Sequence, residues 1–181
     1  MQLLGLLSLF FFIAQFIHYL RINQPGNMLW MCNIGTLILA IGLLFQKPNL
    51  IRMTTIWAVP GLLVWIIYVV LAWGVFLTST LTHLGGLAVG LVAVSLVGMN
   101  RQGWLYAFIW YLIMQLLCYL FTSPELNVNL AHHIQAGWEQ RFSAYWQFWI
   151  VLTLVTGAAL WLIGFVLGKI WPDTRPQRAI S

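Results

Sequence analysis

The chain has 181 residues, of which 62% are hydrophobic and only 6% charged, where an ordinary soluble domain carries roughly 25% charged residues. With a mean hydropathy of +0.91, a soluble globular domain is excluded and an all-α, polytopic membrane protein is predicted. The net charge of +5 comes from eight scattered cations against three acids, a pattern that reports membrane orientation and excludes nucleic acid as a partner.

Apolar runs at 3–20, 28–46, 52–72, 78–98, 104–122 and 146–168 predict a single membrane domain over residues 1–171, built as a six-helix bundle. The first run has no Lys or Arg before it and no small-residue cleavage site after it, so it reads as a retained helix and not as a secretory signal. In the second, Cys32, Asn33 and Thr36 cluster near the start. Pro60 and Gly61 mark an expected kink in the third. A break must follow that run, because an uninterrupted helix over 52–98 would span roughly 70 Å, more than twice the hydrocarbon core. Trp73, Gly74 and the Thr78-Ser79-Thr80 stretch are the only signals for it. The fourth run carries Ser79, Thr82 and His83 at helical spacing, and small residues at Thr82, Gly86 and Gly90 for close helix contact. Tyr111, Gln115, Cys118 and Thr122 form a stripe on the fifth.

With six crossings, Lys47, Arg52, Arg101, Lys169, Arg175 and Arg178 fall on one side and only Arg21 and Arg141 on the other. The positive-inside rule then makes both termini cytoplasmic, in a membrane expected to be the bacterial inner one, with 172–181 a disordered basic tail touching anionic lipid. The long loop from Ser123 to Tyr145 lies outside. Its aromatic residues suggest an interfacial segment, and a short helix over 130–141 is expected. Asn127 and Asn129, if extended, would point the same way, as a lid or oxyanion clamp; as caps they would start that short helix.

All four histidines fall on this outer side. Counted inward at the helical rise, His18, Cys32, His83 and Cys118 sit roughly 3–8 Å below the boundary. Gln15, His18 and Tyr19 share one face of the first helix. Polar side chains facing lipid are costly, so stripes on four helices are expected to converge on one outward-facing polar pocket. Its predicted lining is Gln15, His18, Tyr19, Asn33, Thr36, Ser79, Thr82, Gln115, Cys118, Asn127 and Asn129 around Cys32 and His83. A disulfide between Cys32 and Cys118 is allowed at these depths.

A thiol at Cys32 and an imidazole at His83, at matching depth, suit nucleophilic acyl transfer, the His making the thiolate or protonating a leaving group. Leu29 to Ile34, the Trp57 to Gly61 segment, the Trp/Gly break before His83 and Asn127-Val128-Asn129-Leu130 together resemble the YwaF-like family of six-helix transmembrane acyltransferases over residues 28–130. That resemblance implies Cys32 and His83 as the residues that move fatty acyl chains between membrane lipids. Two other readings stay open. One is a non-catalytic scaffold, or a lipid- or pigment-binding subunit among other membrane subunits, for which the eleven tryptophans suit large contacts. The other is a metal- or haem-binding redox protein using His18 and His83, although no Cys-x-x-Cys or carboxylate cluster accompanies them.

Overall fold

A computed structural model describes residues 1–72 and 75–173. Helix α1 covers Gln2–Arg21, α2 Met31–Leu44, α3 Pro48–Ala72, α4 Leu77–Val97, α5 Gly103–Phe121 and α6 Tyr145–Ile170. All but α2 are long and apolar enough to cross a membrane. Helix α2 has 14 residues and is about 21 Å long, short of a hydrocarbon core of about 30 Å.

Proline chemistry sets the bounds of α2 and α3. Residues 28–30, expected in the second helix, belong instead to the 3₁₀ turn Pro25–Leu29 and to Trp30, whose ψ of 132° is non-helical. Pro48 opens α3 four residues before its apolar run, at the position where a missing N–H costs nothing. Between them Gln46 turns left-handed (φ 52°) and the Lys47 N–H donates to the Gly42 carbonyl at 2.7 Å, closing α2 with a Schellman turn. Asn23 ends α1 the same way, with the Gln24 N–H on the Tyr19 carbonyl at 2.9 Å.

Helix α2 runs back along α1. Gly5, near the start of α1, packs against Leu44 at the end of α2, and the Ser8 hydroxyl donates to the Thr36 carbonyl at 2.8 Å. Helix α4 lies on α3 so closely that a Cβ on Gly90 would come within 2.8 Å of Thr55 Oγ1. The central core joins Leu39 and Leu43 of α2, Ile51 and Ile56 of α3, Val94 of α4 and Leu160 of α6. Pro60 lies inside α3, where it removes a backbone donor in mid-helix.

The end of the bundle opposite Cys32 is closed by Arg52, which is 4% exposed. Its guanidinium donates to the Gly98 and Val97 carbonyls at 2.7 and 3.2 Å and to Asn49 Oδ1 at 3.1 Å, and it pairs with the Asp173 carboxylate. Met99 and Pro172 form a parallel bridge beside it. Pro172 and Asp173, expected in a free tail, are therefore pinned to the bundle; residues 174–181 lie outside the described residues, as do Trp73 and Gly74 of the expected break.

Candidate functional site

Helices α2, α3 and α4 enclose a cavity lined by Cys32, Thr36, Thr54, Trp57, Thr82 and His83, among others. Its volume of about 20 Å³ has room for one water. Cys32 is the second residue of α2, and its Sγ faces Gly61 of α3: a Cβ there would stand 3.7 Å from the sulfur. A Cβ at 61 would thus make ordinary van der Waals contact with the thiol, and only a longer side chain would crowd it. The Thr36, Thr54 and Thr82 hydroxyls all donate to carbonyls one turn back, at 2.8, 2.8 and 3.0 Å. They leave the cavity less polar than its threonines suggest.

His83 reaches the cavity from the middle of a π-helical turn, Leu81–Gly85, within α4. Such turns insert one residue into an α-helix and recur at functional sites. The ring Nδ1 lies 2.8 Å from the Ser79 carbonyl. A carbonyl only accepts, so Nδ1 carries the proton and Nε2 of the neutral ring is an acceptor. Trp65 of α3 stacks on the imidazole at 5.4 Å between centroids and donates its indole N–H to Ser79 Oγ at 2.8 Å. Ring plane and tautomer are thus fixed from two helices.

Gln15, His18, Tyr19 and Asn33 form a neighbouring polar group where α1 meets the start of α2. Gln15 and Asn33 are 1% and 2% exposed. The Tyr19 oxygen lies within reach of both their amides and within electrostatic range of Cys32. The His18 ring packs on Phe76 at 4.7 Å.

Gln115, Cys118 and Asn129 assemble elsewhere, over the N-terminus of α2. Asn129 Oδ1 accepts the Met31 N–H at 3.0 Å, while its Nδ2 donates to the Leu29 carbonyl at 2.9 Å and to Cys118 Sγ at 3.0 Å. Gln115 Nε2 donates to the Asn129 carbonyl at 2.8 Å. Asn127 turns away, its Oδ1 accepting the His132 and His133 N–H groups at 3.0 Å each. Both asparagines are left-handed, with φ of 40° and 54°. They are not extended, so they do not point together as a lid. Nor do they start a helix over 130–141: that stretch holds only the end of the 3₁₀ turn Val128–Leu130 and a second such turn at Glu139–Arg141. Cys32 and Cys118 are both free thiols.

The structure thus gathers Cys32, Thr36, Thr82 and His83 at one cavity, with Ser79 behind His83, and sets Gln15, His18, Tyr19 and Asn33 beside it. Gln115, Cys118, Asn127 and Asn129 serve the loop and the end of α2. Trp65 and the π turn escaped the sequence reading. A lone tryptophan in an apolar helix is common, and a π turn has no spacing signature. Among the described residues no three His, Cys, Asp or Glu side chains come together as a metal site. Compared with models of protein families, with curated proteins and with solved structures, the chain shows no match.

Proposed function

We propose that this chain is a membrane enzyme that transfers acyl groups between lipids, with Cys32 as nucleophile and His83 as base, the roles implied by its resemblance to the YwaF-like transmembrane acyltransferases. One observation carries the reading: a thiol and an imidazole from separate helices line the same cavity, and the imidazole is held with Nε2 as its acceptor. The thiolate and not the thiol is the nucleophile, so transfer needs a base at hand. His83 takes the Cys32 proton, the sulfur attacks an ester carbonyl, the C–O bond breaks, and the proton passes to the leaving alkoxide. A cavity of about 20 Å³ takes only the reacting carbonyl; the acyl chain stays in the bilayer.

The proposed topology is six crossings with both termini cytoplasmic in a bacterial inner membrane, the site opening toward the outer leaflet. The pairing of Gly5 with Leu44 supports α2 as a return crossing despite its length. In reconstituted protein, Cys32→Ala and His83→Ala are each expected to lower acyl transfer by at least about 100-fold with thermal unfolding unchanged. Turnover equal to the parent in both variants would remove the catalytic reading.

The small cavity also favours a second reading, a non-catalytic subunit among other membrane proteins. Co-purification with a defined partner, together with no turnover by the chain alone, would support it.

A further inference from the structure

Three buried polar atoms beside the cavity have no hydrogen-bond partner among the described residues: Gln15 Oε1, His18 Nε2 and Asn33 Oδ1. Such atoms are rare because each forfeits its hydration on burial without recovering it. Gln15 and His18 lie one turn apart on the same face of α1. Asn33 joins them from α2, since Tyr19 lies within reach of both amides. The remaining polar atom of Asn33 is committed: its Nδ2 donates to the Asn27 carbonyl at 2.9 Å. The two amide oxygens can only accept, and the imidazole nitrogen accepts in one tautomer. The single Tyr19 hydroxyl proton can serve at most one of these three acceptors, so the group asks for a further donor.

Charge decides which donor. The three acidic residues of the chain are Glu125, Glu139 and Asp173, none of them on α1 to α4. A buried ammonium would have no counter-charge here and would face Arg21 one turn along α1, a costly placement. A neutral hydroxyl satisfies an acceptor without bringing a charge out of water.

We infer that the recess at Gln15, His18 and Asn33 binds the hydroxyl group of an uncharged alcohol moiety on a lipid, and that this alcohol is the acyl acceptor; the second half of the inference rests on the transfer reading above. In that step the alcohol oxygen attacks the carbonyl carbon of a Cys32 thioester. The C–O bond forms, the C–S bond breaks, and the hydroxyl proton ends on Sγ by way of His83. Tyr19, within reach of both amides, also lies within electrostatic range of Cys32. The hydroxyl can come from a diacylglycerol or from the glycerol headgroup of a phosphatidylglycerol.

Native mass spectrometry of the purified full chain in detergent tests this with dioctanoylglycerol, dioctanoyl phosphatidylglycerol and dioctanoyl phosphatidylethanolamine as probes. One or both hydroxyl lipids are expected to bind more tightly than the amine lipid, and the one that does identifies the source. Gln15→Leu and His18→Phe, which keeps an aromatic ring against Phe76, are each expected to weaken that binding about tenfold. Cys32→Ala is expected to leave it intact. Intact-mass measurement of the Cys32 thioester follows the other half: Gln15→Leu loads acyl like the parent but passes it to the alcohol about tenfold more slowly. Preference for the amine lipid, or parental binding by both recess variants, overturns the inference. If no thioester forms in any variant while hydroxyl-lipid binding still depends on Gln15, the transfer reading falls and the alcohol site stands.

Discussion

Arg52 carries a full charge at 4% exposure because its planar fork meets acceptors on every side. Two are the last carbonyls of α4, where a cation also meets the negative end of the helix dipole. The Asp173 carboxylate neutralises it from beyond α6. One side chain thus ties the start of α3 to the ends of α4 and α6. Arg52→Met should remove the guanidinium's bonds to Asp173 and to two carbonyls, at a cost of about 3–5 kcal/mol. Thermal unfolding in detergent should show a clear fall in the midpoint. Arg52→Lys should recover only part of it, since an ammonium cannot span the fork's three directions. Asp173→Asn, at a partly exposed partner, should cost less than either. Charge counting along the chain treats Arg52 as one more surface cation, because its partners other than Asn49 stand 45, 46 and 121 residues away. Cys32 and His83, which line one cavity, could be singled out by contrast, since a reactive group in an apolar span stands out in the sequence itself. The ring of Trp65 that orients His83 was not, because only the folded α3–α4 pair brings them together.

At the scale of elements, the apolar runs locate each of the described long helices to within about four residues at either end, since helix length in a membrane is set by hydrophobicity. The start of α2 is decided by a residue far away. Its first N–H, an orphan in any helix, is accepted by Asn129 Oδ1 across 98 residues of sequence. The same side chain holds Leu29 and Cys118, so it clamps the first loop, α5 and the outer loop over the helix that carries Cys32. Asn129→Ala should cost about 1–2 kcal/mol through the lost cap and the unsatisfied Leu29 carbonyl. Asn129→Asp keeps the acceptor for Met31 but loses the donor, so it should fall between the two in unfolding midpoint. The π turn of α4 yields a sharper expectation. Deleting Leu81 removes the inserted residue, and a register change of one residue swings a helical side chain by about 100°. The stacking of Trp65 on His83 should then be lost, read as a change in tryptophan fluorescence, together with acyl turnover. An unchanged spectrum and full turnover would mean that the π turn does not aim the imidazole.

For the whole molecule, the deciding quantity is the number of times the chain crosses. Five helices qualify by length and apolarity, and five crossings would put the two termini on opposite sides. Helix α2 decides between five and six. Its length of about 21 Å falls short of the core, yet its two ends lie beside the two ends of α1: Leu44 against Gly5, and Asn33 near Tyr19. On the proposed topology, an element that begins where α1 ends and finishes where α1 begins crosses with it, the 3₁₀ turn Pro25–Leu29 adding to its depth. Arg52 adds an independent constraint, because it holds the end of α4, the start of α3 and the segment after α6 at one face. Single cysteines at Lys47 and Arg101 should then react with an impermeant thiol reagent only after the membrane is opened, whereas cysteines at Asn23 and Gln135 should react in intact cells; all four positions are exposed. The parent chain, whose own thiols are buried or half-buried, serves as the blank. Labelling of positions 47 and 23 from the same side would mean that α2 enters and leaves by one face. The thiol at its start would then lie on a re-entrant segment, and the pocket would no longer open toward the outer leaflet.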